Sequence, residues 1–159
     1  MSFVYPSRLL DTKTFELVRG GPDKKYAILS HRWHNGGGQE ELTFRQLEHT
    51  NLNATFANKY DTSRAKHINA CKQAANAGYD YLWADTVCIN KDSSEELRKS
   101  LNGMFKYYQQ AEVCYSYLND VDARSGSFAS DNPERPGMAS VWFSRGWTYV
   151  TVQVPALLG

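Results

Sequence analysis

Charge of one sign is missing from this chain. Its 18 Lys and Arg against 17 Asp and Glu leave a formal charge of +1, so no global field collects a polyanion and nucleic acid is excluded as a default partner. Cysteine is scarce. Cys71, Cys88 and Cys114 are odd in number and form no CxxC pair, which argues against a disulfide framework or a zinc knuckle and for reduced, buried thiols. No apolar run approaches the ~18–20 residues that a bilayer span requires, so no membrane span is expected. The opening MSFVYPSRLLDTKTF lacks the apolar stretch of about 7–15 residues and small-residue cleavage site of a secretory leader. A cytoplasmic location is the expectation, and the chain contains no internal repeat.

What is present describes a packed domain. With 159 residues, of which 42% are hydrophobic and 13% aromatic, the chain can bury roughly 68–70% of its unfolded surface as one unit. A single domain over residues 1–159 is therefore expected. Tyr26-Ala27-Ile28-Leu29-Ser30 follows the turn-prone Gly20-Gly21-Pro22-Asp23 and reads as a buried strand. A polar segment from His31 to Gln39 leaves it, and a short helix is expected around Glu41 to His49. From Thr62 to Ala77 an Ala-rich pattern puts Ile68, Cys71 and Ala75 on one helical face, with Gly78 as its cap. Tyr79 to Ala84 reads as the next strand, and Asp85 to Asn90 as the loop at its carboxyl end. Ser93 and Glu96 have capping-box spacing, and Leu97, Leu101, Met104, Phe105 and Tyr108 then recur at helical spacing. Val113 to Leu118 is a further strand. Strand–helix–strand units of this length fit right-handed parallel crossovers, so the expected class is α/β with a parallel sheet flanked by helices. Residues 122–140, rich in Ser, Gly, Pro, Asp and Arg, read as a mobile surface loop. Beyond it, Trp142, Phe143 and Trp147 cluster before an alternating VTVQV.

In an open parallel sheet, ligands bind beyond the carboxyl ends of the strands. That rule selects Ser30, His31, Arg32, Trp33 and His34 after the first strand, Asp85, Cys88 and Asn90 after the second, and Asn119, Asp120 and Asp122 after the third. Such groups suit a ribose or phosphate ligand: carboxylate to sugar hydroxyls, guanidinium to phosphate, indole against a ring. The same residues have structural uses: Asp85 can cap the next turn, Arg32 can pair with it, and Trp33 can close the core edge. Glu96 likewise is either a capping residue or a carboxylate at the crevice mouth. His31 and His34 lie three apart without a third ligand at metal spacing, so they read as surface histidines and no metal is expected. Gly36 to Gly38 reads as a flexible turn, because no Lys-Ser or Lys-Thr follows and Glu40 and Glu41 would repel an anion. Cys88 lies near Asp85 and has no evident histidine base, which leaves little case for a nucleophile.

These residues together resemble the fungal heterokaryon incompatibility (HET) domain. YAILSHRW at 26–33, LWADTVCINKDSSEE at 82–96 running into MFKYYQQAEVCYSYL at 104–118, and WFSRGWT at 142–148 look like its three ordered motifs. RLLDTKTFELV at 8–18 is similar to the extended opening of HET domains in large incompatibility proteins. The resemblance implies an effector or signalling domain of vegetative incompatibility and programmed cell death after nonself recognition, acting through protein partners or a homo-oligomer. It also implies a distant TIR-like relationship, hence a flavodoxin-like three-layer arrangement with irregular insertions. Some TIR domains cleave NAD at the nicotinamide glycosidic bond with a glutamate in a Trp-x-x-x-Glu pattern.

HET domains carry a related pattern in the third motif. Here it reads Trp147-Thr148-Tyr149-Val150-Thr151, with Thr151 in the glutamate's place and an atypical tail over 149–159. A neutral hydroxyl does not stabilise a developing oxocarbenium ion as a carboxylate does. The alternative function, a NAD or nucleotide glycohydrolase, would then fall to Asp85 and Glu96 as catalytic groups. Ser30, Arg32, Trp33, Cys88, Asn90, Arg145 and Trp147 would bind the ligand. NAD enters as substrate, and no resident cofactor is required.

Overall fold

The computed structural model describes residues 4–34, 36–121 and 155–158. Among the described residues, six strands run β1 (Arg8–Asp11), β2 (Leu17–Arg19), β3 (Tyr26–His31), β4 (Tyr81–Trp83), β5 (Val113–Tyr117) and β6 (Pro155–Leu158). They are joined by helices α1 (Phe44–Leu47), α2 (Asp61–Asn76), α3 (Asp85–Cys88) and α4 (Ser94–Gln110), with a 3₁₀ turn at Asn58–Tyr60. The sheet order is β2-β1-β4-β3-β5-β6.

The α/β class is as expected, but the sheet is mixed rather than parallel. β3 pairs in parallel with β4 and β5, and β5 with β6, whereas β1 is antiparallel to both β2 and β4. The cause is local. Residues 12–16 are too few for a crossover, so β1 and β2 can only close as a hairpin. Asp11 Oδ1 accepts from the Lys13 and Thr14 amides at 2.8 and 2.9 Å, which fixes the turn.

β3 has parallel neighbours on both sides, and all six of its residues are buried, which is why it reads as an unbroken apolar run. α2 ends as the sequence indicates: Gly78 takes φ +89°, and the Tyr79 amide reaches back to the Ala74 carbonyl at 2.9 Å. The face it buries differs from the expected one. Ser63, Lys66, His67, Ala70, Cys71 and Ala74 point inward, while Ile68 and Ala75 are only half-buried. Polar partners on the far side, described below, draw that face in.

α4 is rotated in the same sense. Ser100, Gly103, Met104 and Tyr107 face the core, and Leu101 and Phe105, expected inside, stand about half exposed. Gly103 explains the rotation. A Cβ there would lie 2.9 Å from Val4 Cγ1 and 3.0 Å from the ring of Tyr107 on the same helix, so the missing side chain lets Val4 and that ring pack onto the α4 backbone. The helix expected at 41–49 shortens to the single turn α1, closed by Thr43 and Gln46, and the loop expected after β4 contains the turn α3. The expected mobile loop at 122–140, the aromatic cluster at 142–147 and the VTVQV alternation lie outside the described residues.

Gly20 anchors the return of β2 to β1, its amide bonded to the Ser7 carbonyl at 2.9 Å. A Cβ at this position would stand 1.9 Å from the Pro6 oxygen, a backbone atom. Gly20→Ala is therefore expected to destabilise the chain by about 1–3 kcal/mol, seen as a lower urea midpoint with an unchanged denaturant slope.

Candidate functional site

The carboxyl ends of β3 and β4 bring His31 and Asp85 side by side. His31 closes β3, and Asp85 opens α3 two residues after β4. His31 Nε2 lies 3.1 Å from Asp85 Oδ1, and the Trp33 indole N–H donates to Oδ2 at 3.2 Å. Lys91 adds a positive charge above the indole, 4.7 Å from its ring centroid, and its ammonium donates to the Asp85 backbone carbonyl. Burial alone would raise the Asp85 pKa, but the His31 bond and the Lys91 charge outweigh it and hold the carboxyl well below its ordinary value.

Behind this pair is a fully buried polar cluster. Glu41, 2% exposed at its side chain, accepts from Ser63 Oγ at 2.8 Å, from the His34 amide at 2.6 Å and from Lys66 Nζ at 2.9 Å. Lys66 also donates to the Arg32 carbonyl at 3.3 Å. His67 Nδ1 donates to the Ser63 carbonyl at 2.7 Å, which leaves Nε2 to accept from the Thr86 hydroxyl at 2.9 Å. The rings of His31 and His67 meet edge to face with centroids 5.5 Å apart. Burial, reinforced by Lys66, lowers the pKa of both, that of His67 to about 3. Both imidazoles are neutral at pH 7. Burial opposes ionisation of Glu41, and the surrounding imidazoles and Lys66 overcome it, so its pKa lies below the ordinary value.

Glu96, the second candidate carboxylate, stands at the start of α4. Ser93 Oγ accepts from its amide at 3.3 Å, as capping-box spacing requires. Its carboxylate is forked by Arg8 from β1, with Nη2 to Oε2 at 3.1 Å, and accepts the Asn90 amide at 2.9 Å. Glu96 thus ties β1, the loop after α3 and α4 together.

Of the other sequence candidates, Ser30 is buried in β3, Arg32 is exposed, and Trp33 and Asn90 are half-buried. Arg32 does not provide the expected partner of Asp85; His31 and Trp33 do. Cys88 is buried, and its Sγ accepts from the Ala84 amide at 3.5 Å. Burial pushes its thiol up to about 12, so it is protonated and no nucleophile at neutral pH. Arg145, Trp147 and Thr151 lie outside the described residues. The reading of His31 as a surface histidine is corrected: β3 extends through it, and it is 3% exposed. Gly36 to Gly38 form a turn with positive φ at each glycine, as expected.

Glu41, Ser63, Lys66, His67 and Arg8 were not singled out by sequence reasoning. A signal existed in Ser63-x-x-Lys66-His67, which shares a helix face with Ala70 and Ala74. A charged stretch of that kind reads by default as a solvated face.

The two imidazoles give folding stability a defined pH dependence. In the unfolded chain they take up protons near pH 6.5; in the fold their lowered pKa values keep them neutral. The unfolded state therefore binds more protons below that pH, and stability falls as pH drops from 6.5 toward 3. His67, with its pKa lowered to about 3, is expected to cost about 2 kcal/mol between pH 7 and 5, and His31 adds a loss of the same sign. The lowered carboxyl pKa values of Asp85 and Glu41 add a separate loss below about pH 4.5. Urea midpoints across pH 5–7 measure this, and a folded His67→Gln variant should show a flatter slope.

Comparison with known proteins follows the same residues. The family model described as "Heterokaryon incompatibility protein (HET)" matches residues 26–139, from the start of β3 past the end of β5. The chain is 33% identical over 131 residues to Vegetative incompatibility protein HET-E-1 of Podospora anserina. That match covers 82% of this chain and 9% of the relative, so the chain spans under a tenth of that protein's length. No solved structure is significantly similar. The matched span contains His31, Trp33, Glu41, Lys66, His67, Asp85 and Glu96, and the chain belongs to the heterokaryon incompatibility (HET) family.

Proposed function

We propose that this chain is an effector or signalling domain in fungal vegetative incompatibility, acting in the cytoplasm through protein partners or self-association to promote cell death. Family membership and the resemblance to an incompatibility protein support the role. One observation favours contact over chemistry: both candidate carboxylates are committed to internal bonds. Glu96 is held by the Arg8 fork and the Asn90 amide, and Asp85 by His31 and Trp33. A carboxylate whose lone pairs are taken up by fixed donors supports a frame and is a poor nucleophile or base.

A second reading has an observation of its own. The Asp85 side chain remains 26% exposed beside the half-buried Trp33, at the strand ends where α/β sheets receive ligands. A NAD or nucleotide glycohydrolase would use Asp85 there to stabilise the ribosyl cation as the bond to nicotinamide breaks. Nicotinamide leaves with the bonding pair, and water adds to the anomeric carbon with loss of a proton. Glu96 would be the second carboxylate, and Ser30, Arg32, Trp33, Cys88, Asn90, Arg145 and Trp147 the ligand-binding set.

Two measurements separate these readings. Induced expression in a fungal host is expected to arrest growth, while the purified, folded chain releases no nicotinamide from NAD. Arrest that survives Asp85→Asn supports the contact reading. Nicotinamide release by the purified chain, lost in a folded Asp85→Asn variant, establishes the enzymatic reading instead. Release only after Thr151→Glu would identify Thr151 as the disabled position. Neither arrest nor release would overturn both readings.

A further inference from the structure

We propose that His31 Nδ1, His67 Nε2 and Glu41 Oε1 form a closed binding site for one divalent transition-metal ion of the zinc class. These atoms come from three segments: the end of β3, the segment before α1 and the inward face of α2. They lie within 4.8 Å of one another, and all three residues are buried. Glu41 Oε1 is 3.8 Å from His31 Nδ1 and 4.0 Å from His67 Nε2. A small inward movement brings that triangle to the ligand spacing of a tetrahedral ion with bonds of about 2.0–2.1 Å.

The outer hydrogen bonds point the same way. A metal-binding histidine typically donates its other ring N–H to a carboxylate or a backbone carbonyl, which fixes the tautomer and turns the lone pair to the ion. Both arrangements occur here. His31 Nε2 faces the Asp85 carboxylate at 3.1 Å, and His67 Nδ1 faces the Ser63 carbonyl at 2.7 Å. Each ring therefore presents its remaining nitrogen toward Glu41. The Thr86 hydroxyl, 2.9 Å from His67 Nε2, must turn aside and can complete the coordination shell.

Lys66 is the competing cation. Its ammonium lies 2.8 Å from Oε1 and 2.9 Å from Oε2 of the same carboxylate. On metal binding Lys66 keeps Oε2 and gives up Oε1. Glu41 and Asp85 balance the charges of Lys66 and Lys91, so the site presents no net positive charge to the incoming ion.

The test uses the untagged, chelator-treated chain titrated with cobalt(II) and then zinc(II). One equivalent of cobalt is expected to develop the intense visible bands of a four-coordinate site and to be displaced by zinc. X-ray absorption of the zinc-loaded wild-type chain should show two imidazoles, oxygen and no sulfur; this readout needs no variant. Asp85→Asn should weaken binding about 10–100-fold through the loss of outer support, and His67→Gln should abolish the bands. His49→Ala, on the exposed surface, should leave them intact. Only the weak spectrum of hydrated cobalt would overturn the proposal and leave Lys66 as the cluster's sole cation. So would a bound ion that survives His67→Gln in the folded protein, or one coordinated by sulfur. These readouts are independent of nicotinamide release and growth arrest.

Discussion

The Glu41 carboxylate is the charge around which the rest of the molecule is arranged. Moving it from water costs several kcal/mol, recovered only when every lone pair finds a donor. The donors come from distant stretches: Ser63 and Lys66 on α2, and the His34 amide just past β3. Satisfying one anion thus fixes the angle of α2 against the sheet and the path of the chain leaving β3. It also accounts for the polar face that α2 turns inward. Lys66 and His67 enter the core because the anion is there. An apolar trio of similar volume would stabilise such a core as well or better, so the charged arrangement specifies register more than it adds free energy.

The sequence and the structure agree where local rules dominate. The unbroken apolar run of β3, the Gly78 cap of α2 and the Ser93 cap of α4 each follow from a few neighbouring residues and were legible. They diverge where a distant residue decides. Leu101 and Phe105 have helical spacing, but Gly103 and Val4 set which face of α4 meets the core. The β1–β2 hairpin hides in short strands, each carrying charged residues, and its partner β4 is far along the chain. Asp85 and Trp33 were visible as candidates because strand ends are privileged positions in α/β folds. Glu41 was not, because a carboxylate in a polar stretch reads as solvated until a lysine and a serine from another helix are seen to surround it.

The crevice and the cluster behind it form two tiers. In the outer tier, Asp85, Trp33 and Lys91 retain contact with solvent; in the inner tier, His31, His67 and Glu41 have almost none. His31 belongs to both, with one ring nitrogen on Asp85 and the other toward Glu41. A change in the hydrogen bonding of Asp85 is felt at the Glu41 side of that ring, since its two nitrogens cannot be re-tautomerised independently. Any ligand that alters Asp85 thereby has a physical route into the core.

The strand order also governs how the chain assembles in time. β1 and β2 close locally and early, yet β1 finds its sheet partner only at Leu82 of β4, which pairs with Leu10. β3 in turn has one neighbour after α2 and the other only after α4. During synthesis the hairpin therefore emerges with an unpaired edge and must wait for β4. Long-range pairings of this kind slow folding and prolong the exposure of strand edges. The charged residues that obscured β1 and β2 in the sequence, Arg8, Asp11 and Arg19, keep that edge soluble during the wait.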